Sequence, residues 1–357
     1  MKFDFFSKST PELIGVDISS TSIKMVELTA SPRGGYRLEG YAIAPLPKDA
    51  MVDGNIGSLD HAIEAMRFAW KLLGSREKRV AMALPSASVI TKRVMMSSLL
   101  TEDEMEAQVE AEANQYIPFP LDEVNIDFQI LGSAGPNTED VSVLIAAARK
   151  EKIEDRLAVA EGAGLKALVM DVESYATEAV YNLIATQLPD TGKNQTVMMV
   201  DIGATTTHVN VLHNNQSVYT REQTFGGNQL TQEIQRRFGL SADEAEMAKR
   251  KGGLPESYES EVLEPFMQLL ATEVARAIQF FVNSTQFTRV DHVVLAGGCA
   301  SITAIDLMVQ DRTQVNTIVA NPFGSMSTNP KLKSQQIASD APALLIACGL
   351  AMRGLHK

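Results

Sequence analysis

The chain reads Ile14-Gly15-Val16-Asp17-Ile18-Ser19-Ser20-Thr21-Ser22-Ile23-Lys24 early in its sequence and Met199-Val200-Asp201-Ile202-Gly203-Ala204-Thr205-Thr206-Thr207-His208 far downstream. Each stretch is an apolar strand with an Asp near its end, followed by a tight turn of small and hydroxyl residues and by a second strand. Asp17 and Asp201 are far enough apart for each copy to have a domain of its own. The repeated pattern predicts two hairpins that face each other across a cleft and hold a nucleotide with its metal ion.

The small residues of the two turns suit a phosphate site. They let several backbone N–H groups approach an anionic oxygen, and hydroxyl side chains add further donors. Each N–H bonded to an anion contributes roughly 1.5–3 kcal/mol. Lys24 would add a point charge. The predicted phosphate ligands are Ser19, Ser20, Thr21 and Lys24 in the first copy and Gly203, Ala204, Thr205, Thr206 and Thr207 in the second.

The two aspartates would repel a phosphate chain unless a divalent cation lay between them. Mg²⁺ prefers carboxylate, water and phosphate oxygens, so we expect Asp17 and Asp201 to hold Mg²⁺, directly or through water. The alternative is that each copy is a plain hairpin with a polar turn. The matching order of the two copies favours the metal and phosphate interpretation.

Composition and charge narrow the class of protein. With 357 residues and 45% hydrophobic content, the chain is long enough for two domains with a large core. A net charge of −12 argues against nucleic acid as a main partner. No segment approaches about 18 continuous apolar residues, and Met1–Ser7 carries Asp4 among its aromatics, so we expect neither a membrane span nor a secretory signal. Cys299 and Cys348 lie in apolar contexts, which fits a reducing cytosol without disulfides.

The order of apolar segments predicts an α/β protein, because strands alternate with helices along the chain. Residues 89–166 form a strand–helix–strand–strand–helix block that we expect to be inserted into the first domain. Its first helix opens with a capping box, Thr101-Glu102-Asp103-Glu104, and stops at Pro118. The acidic face of that helix is either a solvated surface or a docking surface for a peptide. Pro189–Lys193 is a polar linker suited to a crossing between lobes, and 321–340 is expected to be a loop.

A third element follows the strand His292–Ala296, where Gly297-Gly298 would let a flat ring lie close to the backbone. By itself a Gly-Gly pair often serves only a turn. The chain contains, in this order, the first hairpin, an acid at Glu173, the second hairpin, the Gly-Gly turn and a closing helix at Ala343–Met352. Together they resemble the actin, Hsp70 and sugar-kinase superfamily over nearly the whole chain.

This resemblance implies an actin-like ATPase fold with two lobes around a nucleotide cleft, and it extends the ATP site. In the superfamily the Gly-Gly turn lies by the adenosine. Glu246 and Lys249 of Ala245-Glu246-Met247-Ala248-Lys249 would approach the ribose. Their alternative role is a helix-surface ion pair at i, i+3. The further ATP ligands expected on this basis are Gly226, Gly227, Glu246, Lys249, Gly297, Gly298 and Cys299.

Two details narrow the resemblance. The inserted block occupies the place where the cell-division protein FtsA carries its extra subdomain. The first phosphate stretch and Glu112-Ala113-Asn114-Gln115-Tyr116-Ile117-Pro118-Phe119-Pro120-Leu121-Asp122-Glu123-Val124 closely resemble the PilM family, the cytoplasmic actin-like components of type IV pilus assembly. The resemblance implies a scaffold that binds ATP and Mg²⁺ at the inner-membrane assembly platform. It also implies docking of the cytoplasmic N-terminal tail of PilN in a groove between the first lobe and the inserted subdomain, in support of pilus biogenesis and twitching motility.

By the same resemblance the protein is cytoplasmic and peripheral at the inner face of the inner membrane. It would meet the membrane only through PilN and other platform proteins. A homo-oligomer and FtsA-like filaments stay open. The implied domains are a first lobe at 1–88 and 167–192, an inserted FtsA-type subdomain at 89–166, a second lobe at 193–328 with a helical subdomain at about 227–288, and a C-terminal segment, 329–357, that returns to the first lobe.

Two classes of activity are left, a nucleotide-dependent scaffold and a phosphoryl-transfer enzyme. Turnover needs an oriented nucleophile, and Glu173 is the candidate catalytic residue because it matches the acid on the connecting helix of Hsp70-like members. Asp171 is a weaker candidate, and a helix cap is the alternative role for Glu173. The inserted block shows no pattern of a small-molecule site. We therefore favour a scaffold with at most slow ATP hydrolysis over a phosphotransferase or an active ATPase.

Overall fold

The computed structural model describes residues 12–31, 34–135 and 138–355. The stretch Met1–Ser7, considered above as a targeting signal, lies outside these residues. Within them the chain forms two compact units. The first unit contains the residues up to Ala30, Gly40–Ala176 and the residues from Leu350 on, and the second contains Ser31–Glu39 and Thr177–Gly349.

The first unit is built on five strands of a six-stranded sheet, in the order β10-β6-β1-β2-β3; the remaining strand, β16 (Ser327–Thr328), pairs in parallel with the part of β3 that belongs to the second unit. The first strand is antiparallel to the second and parallel to the sixth, as a hairpin followed by a helical crossover requires. The elements of this unit are β1 (Ile14–Ile18), β2 (Ser22–Ala30), β3 (Tyr36–Pro45, which begins in the second unit), β4 (Met51–Val52), β5 (Asn55–Ile56), α1 (Leu59–Leu73), β6 (Arg79–Leu84), β7 (Val89–Ser97), α2 (Glu102–Tyr116), β8 (Val124–Ser133), β9 (Asp140–Arg149), α3 (Lys150–Gly162) and β10 (Lys166–Val172).

Helix α1 shows how local sequence signals fix an element. Its apolar face buries small residues and Met66 against the sheet, and it ends at Gly74, which takes the left-handed conformation with φ 70°. It packs closely on α3, since a Cβ on Gly162 would lie 2.4 Å from Ile63 Cδ1. Arg67 Nη2 also donates to the Gly162 carbonyl at 2.6 Å. Gly74 thus ends the helix directly after Leu73.

The strands β7, β9 and β8 form a separate antiparallel sheet in that order, covered on one face by α2. Met105, Val109 and Ala113 are the buried residues of α2. The predicted capping box is confirmed, because Thr101 accepts from the Glu104 N–H and Glu104 accepts from the Thr101 N–H. This sheet with its helix has a small core of its own around Val143.

Helix α3 begins directly after β9 but packs into the core of the main sheet. Its Ile153, Val159 and Ala160 are buried in the same cluster as Val16 of β1 and Val80 of β6. The two-unit division of the chain is coarser than the predicted subdomains, so the boundaries at 88/89 and 166/167 stay predictions.

The second unit is built on a sheet with the strand order β13-β12-β11-β14-β15. Helix α4 (Glu173–Ala185) begins in the first unit and ends in the second. The apolar core of the second unit lies between its sheet and the helix α7 (Glu264–Ser284). Its elements are β11 (Thr196–Ile202), β12 (Thr207–His213), β13 (Gln216–Gln223), α5 (Asn228–Phe238), α6 (Ala242–Lys251), α7 (Glu264–Ser284), β14 (His292–Ala296), α8 (Ile305–Thr313), β15 (Asn316–Val319), β16 (Ser327–Thr328), α9 (Ser334–Asp340) and α10 (Leu345–Met352).

Local signals again predict most of these elements. The strand His292–Ala296 has its predicted bounds, and α7 begins at Glu264 with Pro265 in its first turn, a position that suits proline. A capping box between Ser241 and Glu244 opens α6. Among the described helices none is both long and apolar enough to span a bilayer.

Three features differ from the sequence-based expectations. The chain passes into the second unit within α4, at Ala176/Thr177, and not at Pro189–Lys193, which is a short turn inside the second unit. The expected loop at 321–340 contains the helix α9. Ile337 is the buried residue of this helix, and a single buried residue gives no apolar period from which the helix could have been predicted. Finally, the C-terminal segment divides between the units: residues up to Gly349 belong to the second, where Gly297 N–H donates to the Pro342 carbonyl at 2.8 Å, and the residues from Leu350 on belong to the first. The predicted domain bounds stay predictions.

Candidate functional site

The first hairpin brings Asp17 and Lys24 directly opposite each other. They are register partners of β1 and β2, and Lys24 Nζ lies 2.9 Å from Asp17 Oδ2. The Asp17 side chain is 4% exposed, so this ion pair is largely buried. Lys24, predicted to act on a phosphate chain, thus also neutralises the predicted metal ligand.

The turn of this hairpin is tightly closed. Ser19 N–H donates to the Ser22 carbonyl at 3.0 Å, and the Ser19 hydroxyl donates to the same carbonyl at 2.9 Å. Ser19, Ser20 and Thr21 are partly exposed at the end of the sheet. The Ser19 hydroxyl is therefore engaged within the turn, while the turn as a whole remains accessible.

The two acids at the end of β10 have different surroundings. Asp171 is 1% exposed, and its two oxygens accept from the Arg353 Nε at 2.5 Å and from the Val172 N–H at 2.8 Å. Glu173 is the first residue of α4, and the next N–H, of Ser174, donates to the Ser86 hydroxyl at 3.1 Å. Asp171 thus binds the C-terminal segment to β10. Of the two acids, Glu173 is therefore the better candidate for orienting a nucleophile.

The second hairpin is joined to the turn before α5. Gly203 N–H donates to the Thr206 carbonyl at 3.0 Å and closes the hairpin turn. The Gly203 carbonyl accepts from Gly227 N–H at 3.0 Å, and the Ala204 carbonyl accepts from Asn228 N–H at 2.8 Å. Backbone bonds therefore hold the two turns together.

Side-chain space explains the composition of these joined turns. A Cβ on Gly226 would lie 2.6 Å from the Ala204 carbonyl carbon, so only glycine fits there. The Thr207 hydroxyl donates to the Phe225 carbonyl at 2.8 Å and is buried, whereas Thr205 is exposed. Of the hydroxyls predicted to bind phosphate in this turn, that of Thr207 is thus used inside the fold.

The Gly-Gly turn lies against Asp201. Strands β11 and β14 pair in parallel with Asp201 opposite Ala296, so the next residue, Gly297, reaches the Asp201 side chain. A Cβ on Gly297 would lie 2.4 Å from Asp201 Oδ1, and its φ of 85° is left-handed. Gly298 is exposed and has open space where a Cβ would point. Gly297 thus serves the fold, and Gly298 offers the open backbone surface that a flat ring needs.

A polar cluster links α5 and α6 beside Gly227. Lys249 Nζ lies 2.5 Å from Glu246 Oε2 and donates to the Thr231 hydroxyl at 2.8 Å. The Thr231 hydroxyl in turn donates to Glu246 Oε2 at 2.8 Å. The i, i+3 ion pair considered above as the alternative is thus present, and it lies next to the joined turns because Lys249 Nζ also donates to the Gly227 carbonyl at 3.5 Å.

The pKa values of two groups in this cluster are shifted. Burial acts to raise the pKa of Glu246, but the hydrogen bond and charge of Lys249, with Thr231 and Arg250, outweigh it and lower the pKa overall. Burial raises the pKa of the Cys299 thiol to about 11. Glu246 is therefore an anion at neutral pH, and Cys299 is a neutral thiol whose Sγ would lie 2.9 Å from a Cβ on Gly227.

The structure assembles the predicted residues into two groups, one in each unit. Asp17, Ser19, Ser20, Thr21 and Lys24 form the first hairpin site; Asp201, Gly203–Thr207, Gly226, Gly227, Glu246, Lys249 and Gly297–Cys299 form the second hairpin site. In the described part of the chain no three His, Cys, Asp or Glu residues cluster as a metal site.

Sequence reasoning missed two polar residues next to these sites. Thr231 bonds to Glu246 and Lys249. It lies within the apolar helix pattern that starts at Asn228, and no sequence motif there indicates this contact. Arg156 is buried on the apolar face of α3, three positions from both Ile153 and Val159. A charge at an apolar position of an amphipathic helix was a signal that could have been used.

Comparisons with known proteins identify the family of the chain. A family model described as Type IV pilus assembly protein PilM matches residues 15–355. A chain solved in a PilM-PilN type IV pilus biogenesis complex is 28% identical, with 97% of this chain and 99% of that chain covered and a TM-score of 0.79.

Two more distant structures show the fold. Ethanolamine utilization protein EutJ from Carboxydothermus hydrogenoformans is 18% identical, with 99% of this chain and 93% of that chain covered and a TM-score of 0.56. An archaeal actin homolog in complex with ADP is 12% identical, with 97% and 99% covered and a TM-score of 0.53. The predicted α/β, actin-like fold is confirmed.

Proposed function

The chain belongs to the type IV pilus assembly protein PilM family, and from this premise we propose that it is a pilus-assembly scaffold that binds ATP with Mg²⁺ and docks the N-terminal cytoplasmic tail of PilN. The observation that carries the proposal is the similarity, over 97% of this chain, to a chain solved in a PilM-PilN complex. Through PilN it would act at the inner face of the inner membrane, beside the other platform proteins, and support twitching motility.

The two hairpin sites support the nucleotide part of the proposal. The open backbone at Gly298 leaves main-chain groups accessible to a ligand, and the close packing of Gly226 on Ala204 holds the second hairpin turn in place. The phosphates would be bound by the turns at Ser19–Thr21 and Gly203–Thr206, and the adenosine would lie by Gly298. Asp17 and Asp201 are the residues that would hold Mg²⁺, which when bound would supply positive charge to the phosphate chain.

The ribose part of the nucleotide would meet the cluster on α6. Glu246 is held as an anion by Lys249 and Thr231, and its carboxylate can accept hydrogen bonds from ribose hydroxyls. Lys249 orients that carboxylate. Cys299 fills space beside Gly227 and contributes a neutral, apolar surface.

The surroundings of the acids Asp171 and Glu173 favour a scaffold over a fast ATPase. Asp171 is buried, and each of its oxygens already accepts a hydrogen bond, from Arg353 or from the Val172 N–H, so it serves the fold. Glu173 is the acid left to orient a water, and we propose that hydrolysis is slow at most. ATP would then act by mass action, stabilising the bound form by about 2.7 kcal/mol at a hundredfold excess over its Kd.

The sheet of β7, β9 and β8 supports the docking part of the proposal. Its register places Arg93, Leu144 and Gln129 in one row on the face turned away from α2, because their neighbours Lys92, Ile145 and Phe128 face that helix. We call Arg93, Leu144 and Gln129 the open row. Arg93 and Gln129 are exposed on this row and Leu144 is buried between them. The surface of the row therefore consists of long polar side chains, which suit a peptide with charged and polar residues.

A matched pair of variants tests the docking surface. Gln129 and Gln108 are both exposed glutamines of the same sheet-and-helix block, Gln129 on the open row and Gln108 on the outer face of α2. Titration with a synthetic PilN tail peptide should give a Kd raised about tenfold or more by Gln129→Arg and unchanged by Gln108→Arg. Weakening by Gln108→Arg alone would move the docking site to α2. A wild-type protein that binds no PilN peptide would contradict the docking function itself.

A further inference from the structure

The Thr231 hydroxyl is a buried polar group between α5, α6 and the joined turns. Thr231 is 8% exposed and lies near the start of α5. Its Oγ1 accepts from Lys249 Nζ at 2.8 Å, and it lies 2.8 Å from Glu246 Oε2 and 3.3 Å from the Gly227 carbonyl oxygen. A hydroxyl has one proton, and the shorter contact to a charged acceptor favours donation to Glu246. Thr231 thus connects the two charged side chains of α6 to the helix that follows Gly227.

The hydrogen-bonding capacity of the cluster is unevenly used. Oxygens of the described residues match all three protons of the Lys249 ammonium: Glu246 Oε2 at 2.5 Å, Thr231 Oγ1 at 2.8 Å and the Gly227 carbonyl at 3.5 Å. Glu246 accepts from Lys249 and Thr231 on Oε2 and from Arg250 Nε on Oε1 at 2.7 Å. A carboxylate has about four acceptor positions. Within the described part of the chain one position, on Oε1, is therefore open to a ligand, and the side chain is 33% exposed.

We propose that Thr231 is a positioning residue for sugar recognition, which fixes Glu246 so that the site selects ATP through one ribose hydroxyl. This inference rests on the nucleotide binding proposed above and on the approach of the ribose to Glu246. Thr231 does not touch the ligand. It holds the carboxylate in the orientation in which the open position on Oε1 accepts from the sugar. Because one position is open, a single hydroxyl, either 2′ or 3′, is recognised.

The effect comes from the freedom that Glu246 loses before the ligand binds. A partly exposed glutamate samples several rotamers, and ordering it during binding would weaken the affinity. Lys249 alone is a flexible support, because its long stem can follow a moving carboxylate. The Thr231 hydroxyl is short, buried and attached to α5, so it fixes the carboxylate relative to the joined turns. Without it, the hydrogen bond to the sugar stays possible but becomes less favourable.

The test measures the Kd of ATP, 2′-deoxy-ATP and 3′-deoxy-ATP by calorimetry with excess Mg²⁺. The Kd of an analogue divided by the Kd of ATP is the sugar discrimination. In the wild type we expect about twentyfold for one analogue, as the loss of one bond to a charged acceptor implies, and less than about threefold for the other. Thr231→Val, which keeps the shape of the side chain, should lower the larger value about fivefold by weakening ATP alone. Thr231→Ser, which keeps the hydroxyl, should preserve it.

Thr272→Val is the matched control. The Thr272 hydroxyl also contacts the carbonyl four positions earlier in its helix, that of Gln268, but it lies on α7. This variant should keep the wild-type discrimination. A purely structural role of Thr231 would weaken ATP and both analogues equally, and an unchanged discrimination in Thr231→Val would overturn the inference.

Two further variants complete the test. Thr231→Ala, with the same expected discrimination, covers a failure of Thr231→Val to fold. In Glu246→Ala the discrimination should already be lost, and adding Thr231→Val should change nothing further, because Thr231 acts through Glu246. Discrimination that persists in Glu246→Ala, or a wild type that rejects both analogues equally or neither, would overturn the inference alone. No ATP binding by the wild type would overturn the proposed function and this inference with it.

Discussion

Asp17 and Lys24 are cross-strand partners at the end of the β1–β2 hairpin, and their charged atoms lie 2.9 Å apart at a site where Asp17 is 4% exposed. A cation that reaches Asp17 must therefore share its carboxylate with an ammonium. Lys24 balances the buried charge of Asp17 in the protein without ligands, and a divalent metal would have to compete with it.

Lys24→Met should make the fold depend on Mg²⁺. The substitution leaves Asp17 without its contact cation, so we expect a loss of about 3 kcal/mol in the free energy of unfolding. Millimolar Mg²⁺ should restore part of this loss and should change the wild type less. Urea unfolding with and without Mg²⁺ measures both effects, with Lys71→Met on exposed α1 surface as the control. Equal responses of Lys24→Met and wild type to Mg²⁺ would count against Asp17 as a metal ligand.

Asp201→Ala should abolish most of the thermal stabilisation by ATP with Mg²⁺, since it removes a predicted metal contact from the second hairpin site. Asp17→Ala should act similarly. Asp311, exposed on α8, offers a control in the same unit, and Asp311→Ala should keep the wild-type shift in Tm. A full ATP-induced shift in Asp201→Ala would remove this residue from the site.

Much of this arrangement could be predicted from sequence because its causes are local. The capping boxes at Thr101 and Ser241, the glycine that ends α1 and the two Asp-bearing hairpins each depend on residues within a few positions of one another. Such signals act through backbone hydrogen bonds and φ preferences that the neighbours along the chain decide.

The features that escaped prediction depend on packing between distant segments. Arg353 donates a hydrogen bond to Asp171, 182 positions earlier in the chain. Position 162 must be glycine because a Cβ there would collide with Ile63 of α1. The helix at Ser334–Asp340 buries Ile337 and lacks a periodic apolar face, so tertiary contacts stabilise it and local pattern does not. Sequence spacing carries no record of such contacts.

Gly298→Ala and Gly297→Ala should separate ligand contact from folding. A methyl group at Gly298 has open space, so its substitution should change the free energy of unfolding by less than about 1 kcal/mol and should weaken ATP by steric contact with the adenosine. At Gly297 a Cβ would collide with Asp201 and Ile202 in a left-handed backbone, so that variant should lose at least about 3 kcal/mol. Urea unfolding and ATP titration distinguish the two. Normal ATP affinity in Gly298→Ala would place the adenosine elsewhere.

Arg353→Met should destabilise the first unit without changing ATP affinity. It leaves Asp171, which is 1% exposed, as a buried carboxylate without its cation, and we expect a loss of about 3 kcal/mol. Adding Asp171→Asn removes that charge and should restore about half of the loss. Chemical unfolding of the single and double variants provides the measurement. If the double variant is less stable than Arg353→Met, the pair is not the coupled unit that the geometry indicates.

Glu246→Gln should reveal a pH-dependent contribution of the α6 cluster. Since the pKa of Glu246 is lowered below its ordinary 4.5 in the folded protein, its charge stabilises the fold above that value and ceases to do so as the pH falls through the lowered value. Glu246 is partly exposed, so the contribution is about 1 kcal/mol. The difference in free energy of unfolding between wild type and Glu246→Gln should thus be constant from pH 7 to pH 5.5 and shrink below pH 4.5. Urea titrations across this range measure it, with the exposed Glu256→Gln as the control. A difference that grows on acidification would mean that Lys249 and Thr231 do not hold Glu246 as an anion.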